Sequence, residues 1–280
     1  MTAGSVKTYI SNIRRLAKMA GHDEVPADSK WLFKGVLTKV RSLPLGRRKL
    51  LSAAGVVAAR FYKVDPKGWT KLMEASSKAV EAGRSKQKKT KRESILMPSK
   101  GYAEIKKAAA KLRAVLPKES KGLKDLMQVQ DAWLLSFFGE HTPRLINDVK
   151  VQSGGPNTIE KTGKGYRIVL RQHKTSKSMG KSEIKLDKSL VPLTTRLIAD
   201  GKKLTKHGNL LSAPRGGTLS KSALSRRLTK ITAKTLGRGF STQILRVLKA
   251  TSNEPEMKKV RQILNEMGHS LAQHAKYVAK

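Results

Sequence analysis

The chain has no cysteine among its 280 residues, so disulfides, thiolate zinc sites and cysteine nucleophiles are excluded together. Acidic residues are scarce as well. Only 20 Asp and Glu stand against 59 Lys and Arg, a net charge of +39, and carboxylate pairs for metal-assisted chemistry are hard to assemble from so few. Long apolar runs are missing: Leu50 to Ala59, the longest, is about half the roughly 20 residues that span a bilayer. The opening MTAGSVKTYI has no charged segment followed by an apolar one, so no secretory signal is expected. HExxH is absent, and the six histidines do not cluster at metal spacing. Gly180-Lys181-Ser182 resembles the end of a phosphate-binding loop, but Thr175 stands where its leading glycine belongs. No metal and no cofactor are expected.

What remains is a folded polyanion binder. The 38% hydrophobic fraction together with 22 glycines brings the apolar share to about 46%, inside the roughly 45–50% of packed soluble domains. A charge of this size repels itself unless a polyanion neutralises it, and nucleic acids and anionic membrane surfaces are the abundant ones. The length predicts two domains.

Residues 1–83 read as a bundle of about four helices. In the first, Val6, Tyr9, Ile10, Ile13, Leu16, Ala17 and Ala20 share one face, while Lys7, Arg14, Arg15 and Lys18 lie opposite, free to meet phosphate. A second follows Asp28-Ser29 with Leu32, Phe33, Val36, Leu37 and Val40 inside, a third runs from about Arg47 to Tyr62, and a fourth from about Trp69 to Ala82. Residues 84–98 read as a basic linker, with Arg84, Lys86, Lys88, Lys89, Lys91 and Arg92 and no apolar residue from Arg84 to Arg92. It serves as a solvated tether and equally as a strap along phosphates or a nuclear import signal. Residues 99–280 read as a second domain, mostly helical with a small antiparallel sheet. Its predicted helices are Tyr102 to Leu116, Leu123 to Phe138, Leu190 to Lys203, Lys221 to Leu236, Thr242 to Thr251 and Glu254 to Met267; its predicted strands are Tyr166 to Arg171 and Ser182 to Leu186. The fold class is thus mainly α with a small antiparallel β-sheet.

Several cationic residues stand beside backbone irregularities in this domain. Arg144 follows Pro143 after the apolar helix, Lys174 lies in the loop between the two predicted strands together with Lys177, and Arg246 sits in Gln243-Ile244-Leu245-Arg246. Met257, Val260, Leu264 and Met267 form one face of the next helix, which Gly268 ends. His269 follows that stop, and Tyr277 lies eight residues on.

The order Arg144, Lys174, Arg246, Gly268-His269, Tyr277 resembles a tyrosine recombinase, a DNA breaking-rejoining enzyme of the phage integrase superfamily. Met267-Gly268-His269-Ser270 with Lys276-Tyr277 resembles that family's closing box. Lys174 to Ser178 is similar to the hairpin region of members found in DNA viruses and eukaryotic mobile elements. The resemblance implies a helical, SAM-like core-binding domain followed by a catalytic domain, the two clamping duplex DNA. It also implies a tetramer on two DNA sites with a dimer per site, and a place inside the cell with DNA, in the nucleus where the host is eukaryotic. It implies Tyr277 as nucleophile, Arg144 and Arg246 as phosphate clamps, Lys174 as general acid and His269 as a hydrogen-bond donor. Gln243 stands where many members have His; it can hydrogen-bond but cannot act as a base. Asn147 stands where an acid is common. Two other readings fit the charge: a type IB topoisomerase with the same chemistry, and a DNA-packaging or nucleocapsid protein with none.

Overall fold

The computed structural model describes residues 3–33, 35–85, 102–142, 146–151, 155–173, 176 and 180–266. It is mainly helical, 63%, with one three-stranded antiparallel sheet, which bears out the expected fold class at that level. The chain divides into two compact units, Met1–Thr90 and Lys91–Lys280.

In the first unit, α1 (Ala3–Met19), α2 (Val36–Arg41), α3 (Leu45–Phe61) and α4 (Lys67–Ser85) enclose a small core. Leu16, Ala17, Trp31, Leu32, Val40, Ala54 and Trp69 are among its buried residues. The α1 face is only half used: Leu16 and Ala17 are fully buried, whereas Val6 and Ile10 are 41% and 46% exposed. The second expected helix is broken. Asp28 Oδ1 accepts from the Lys30 amide at 2.7 Å and starts a single 3-10 turn, Lys30–Leu32, which drives Trp31 and Leu32 inward. Gly35 then adopts φ +72, a left-handed conformation that costs a residue without Cβ little, and the helix restarts at Val36. Phe33 is left exposed rather than inside. The fourth helix continues to Ser85, so the start of the expected linker is helical; Lys86, Lys88, Lys89, Lys91 and Arg92 lie outside the described residues.

One close approach decides how α3 and α4 meet. A Cβ added at Gly55 would lie 2.2 Å from the Trp69 ring, so the indole packs directly on the α3 backbone. Gly55→Ala should therefore lower the stability of this unit by about 1–3 kcal/mol despite the better helix propensity of Ala. Thermal unfolding of the two chains in parallel checks this; an equal or higher midpoint for the variant would contradict the packing.

The second unit is built around α6 (Leu123–Glu140), which is buried on nearly every side, with Leu126, Val129, Trp133, Leu134, Phe137 and Phe138 fully enclosed. A helix apolar all round belongs at the centre of a domain. It packs against α5 (Ala103–Ala114) and α7 (Val191–Leu204). Trp133 stacks on Phe137 at 4.8 Å between ring centroids and donates its indole N–H to Thr194 Oγ1 at 2.8 Å. α8 (Lys221–Leu236) starts at Ser220, whose hydroxyl accepts from the Ala223 amide, and stops at Gly237 with φ +68.

The sheet contains one strand more than the pattern predicts. β1 (Asn157–Thr162), β2 (Gly165–Leu170) and β3 (Ser182–Lys185) lie in that order, with Ile159 opposite Ile168 and Ile168 opposite Ile184. β1 begins with buried Asn157 and Thr158, so it lacks the apolar alternation that marks a strand. The two helices expected at the carboxyl side are one, α9 (Thr242–Glu266), which runs through Pro255. Pro255 has no N–H for the Thr251 carbonyl, and the helix tolerates that loss rather than ending. On the apolar face of its second half Leu264 is buried, while Met257 and Val260 are 37% and 39% exposed.

Candidate functional site

Of the residues singled out for chemistry, Arg246 and Gln243 lie among the described residues; Arg144, Lys174, Lys177, His269 and Tyr277 lie outside them. The scaffolding next to Arg144 and Lys174 is described, and it is tightly knit.

Arg246 is carried on the first turns of α9, where Ile244, Leu245 and Leu248 are buried and fix the helix against the core. That leaves Gln243 exposed and Arg246 half-buried. The Arg246 Nε donates to the Thr142 carbonyl at 3.3 Å, two residues before Arg144. His141, the neighbour of Thr142, lies 5.3 Å from the Phe137 ring, and its Nε2 is buried without a hydrogen-bond partner. Burial holds the His141 pKa below the ordinary imidazole value, Glu140 and Asp187 pulling the other way. Lys249, one turn after Arg246, sits over the Tyr102 ring at 4.9 Å, a cation–π contact that helps fix the register of α9.

On the other side of Arg144, Ile146 and Val149 are buried and Asn147 donates to the Leu219 carbonyl at 3.3 Å. Asn147 is therefore a packing residue, and its Oδ1 finds no partner. Lys150 pairs with β1: its amide donates to the Asn157 carbonyl at 2.9 Å and its carbonyl accepts from the Ile159 amide at 2.9 Å.

The stem of the connection between β2 and β3, which carries Lys174, is clamped first by the Asn157 side chain. Asn157 Nδ2 donates to the Gln172 carbonyl at 3.0 Å and to Asp148 Oδ1 at 3.2 Å, while Asn157 Oδ1 accepts from the Gln172 amide at 3.1 Å. The Arg171 and Gln172 amides both donate to the Pro156 carbonyl. Arg171 reaches Gly155 O, Thr158 Oγ1 and Glu160, and His173 Nε2 lies 3.0 Å from the Gly180 carbonyl across the stem. Glu160 also accepts from Arg167 Nε and Nη2, and these bonds, with the Thr158 hydroxyl foremost, hold its carboxyl below the ordinary range.

Hydrogen bonds thus run from α9 to Thr142, and from Asp148 through Asn157 to Gln172. The segments that flank Arg144, Lys174 and Arg246 belong to one compact unit and border one core, which includes Phe138, Ile146, Leu170 and Ile244. Sequence reading missed Thr142, His141, Asn157 and Gln172; a backbone carbonyl and a lone Asn leave no spacing signal.

In the first unit Lys7, Arg14, Arg15 and Lys18 are all exposed on α1, and they share a shallow depression with Ile10 and Ser11. Their exposure agrees with the helical pattern, but Ile10, placed by that pattern on the opposite apolar face, lies among them. Among the described residues no group of three His, Asp or Glu could hold a metal ion, and no helix is long and apolar enough to cross a membrane.

Compared with known proteins, the sequence matches no family model and no curated protein.

Proposed function

We propose that this chain is a site-specific DNA recombinase that cuts and rejoins duplex DNA through a 3′-phosphotyrosine, acting as a tetramer on two sites. The observation that supports the reading is that the segments next to Arg144, Lys174 and Arg246 border one core and are tied in two places, Arg246 to Thr142 and Asp148 through Asn157 to Gln172, around residues whose order in the sequence resembles the family's. The Tyr277 phenolate attacks the scissile phosphorus, the bond from phosphorus to the 5′ oxygen breaks, and that oxygen leaves with a proton from the Lys174 ammonium. Arg144 and Arg246 offer planar, permanently charged donors to the phosphate oxygens, where charge builds in the transition state. His269 adds a hydrogen-bond donor. The new ester keeps the energy of the broken bond, so rejoining requires neither ATP nor metal.

A duplex nicked just downstream of the cleavage point, so that the short fragment carrying the free 5′ hydroxyl diffuses away, traps the intermediate. The wild-type chain should become covalently attached to such DNA, and no attachment on any target would leave a polyanion binder without this chemistry. Relaxation of plasmid lacking a target sequence would favour the topoisomerase reading instead. Arg246→Lys keeps the charge but loses the planar fork and the Nε bond to Thr142. Its rate of adduct formation should fall about 100–1000-fold, measured in single turnover with folding checked by circular dichroism; a rate within a few-fold of wild type would remove Arg246 from the site.

A further inference from the structure

A second cleft lies at the other end of the sheet, and the strand-transfer reading does not use it. The turn between β1 and β2, the end of β3 and the start of α7 enclose about 860 Å³, within the roughly 300–1,000 Å³ of small-molecule sites. β2 runs from this cleft to the connection that carries Lys174, a length of about 20 Å. Tyr166 and Leu186 are buried in its wall, and Val191 and Pro192 extend the apolar floor along the first turn of α7.

The rim carries an uncompensated charge. Lys164, Lys185 and Lys188 are exposed, and none of their ammonium groups is in a hydrogen bond or ion pair with another residue. The remaining charges there are already used: Arg167 bonds Glu160 at 3.0 Å and Glu183 at 3.3 Å, and Lys181 pairs with Glu183 at 3.0 Å. The turn Lys188–Leu190 that leads into α7 is capped by Asp187, whose carboxylate accepts from the Ser189 amide at 2.8 Å, so the acid next to Lys188 is held by backbone and offsets only part of the lysines' charge. Three free ammonium groups exceed what a lone carboxylate neutralises and suit a phosphate ester, which carries about −1.5 to −2 as a monoester. The apolar floor suits a planar ring; the backbone of an intact duplex would leave it empty.

We propose that this cleft is a nucleotide site, with the phosphates on Lys164, Lys185 and Lys188 and the base on the Val191–Pro192 floor. The phosphate ester is either a free nucleotide or an unpaired nucleotide at a DNA strand end.

Calorimetric titration of the full chain with ATP, inorganic pyrophosphate and a five-residue single-stranded DNA tests this. ATP should saturate a single site. The variant Lys164→Gln/Lys185→Gln/Lys188→Gln should bind it at least about 10-fold more weakly, while Lys202→Gln/Lys203→Gln/Lys206→Gln, which removes the same charge from the other end of α7, should not. Pro192→Glu gives a second variant: a carboxylate in the first turn favours the helix but repels phosphate, so ATP binding should be lost with no fall in melting temperature. Displacement of ATP by the oligonucleotide identifies a DNA end as the source, and failure to displace identifies a free nucleotide. Equal loss in the two lysine variants, pyrophosphate binding as tight as ATP, or no saturable binding would each overturn the proposal. These variants leave Tyr277, Arg144, Lys174 and Arg246 intact, so failure here and failure of the recombinase reading are separable.

Discussion

A chain with Phe in place of Tyr277 should bind DNA as tightly as wild type and form no covalent adduct with the nicked trapping substrate. The substitution removes one oxygen and leaves the ring, so packing and charge barely change while the proposed nucleophile disappears. The loss should be complete to the limit of detection, because the proposed nucleophile is gone and no cysteine is present to substitute for it. A phenol of pKa about 10 is only about one part in a thousand phenolate at pH 7, so the arginines must stabilise the anion as well as the phosphate. Gln243, exposed on the first turn of α9, can hold a water or a phosphate oxygen but cannot take the proton. An adduct that survives in the Phe variant would place the nucleophile elsewhere in the chain and end the assignment of Tyr277.

The parts of this fold legible in the sequence are those where one physical signal dominates. α8 is bounded by Ser220 and Gly237, a capping hydroxyl and a left-handed stop, and its limits were readable to the residue. α6 announces itself by continuous apolar content. The misreadings occur where two signals compete. Gly35 interrupts an apolar pattern that otherwise predicts one helix over Leu32 to Val40, and its φ of +72 prevails. Pro255 argues for a break, yet the helix on both sides continues through it. β1 carries Asn157 and Thr158 inside because they hydrogen-bond to Gln172, Asp148 and Glu160, and a strand that buries polar residues has no hydrophobic period. The same property hid the scaffold of the candidate site, since Asn157 and the Thr142 carbonyl act through hydrogen bonds that no spacing in the sequence encodes.

Arg227→Ala should be among the most damaging substitutions to the stability of the second unit, at about 3 kcal/mol. No motif marks this arginine, but its side chain is only 12% exposed and is fully engaged. Nε donates to Asp131 Oδ1 at 2.6 Å, Nη1 to Gln130 Oε1 at 2.8 Å and to the Ser212 carbonyl at 3.1 Å, and Nη2 to the Met127 carbonyl at 2.9 Å. One guanidinium therefore ties α8 to α6 and to the turn at Ser212. Gln130 is part of the same network, donating to Ser212 Oγ at 2.8 Å. Truncation leaves these acceptors without their donor, and that penalty exceeds the net worth of the bonds themselves. For a unit of this size the loss corresponds to a fall in melting temperature of about 6–12 °C. Asp131 adds a pH signature. Burial raises its pKa above the ordinary 3.8, with Arg227 pulling it back down, so the folded chain already binds a proton more readily there than the unfolded one. Removing Arg227 raises that pKa further. The cost of an ionised, unpaired Asp131 is complete above the raised folded pKa and vanishes as pH falls below the unfolded value. The deficit of Arg227→Ala relative to wild type should thus be largest near pH 7 and shrink toward pH 4, and Asp131→Ala/Arg227→Ala should lose less than the sum of the single variants. A deficit that grows on acidification would mean that the carboxylate is stabilised by something other than Arg227, and a loss below about 1 kcal/mol would mean that solvent replaces the guanidinium at all four acceptors.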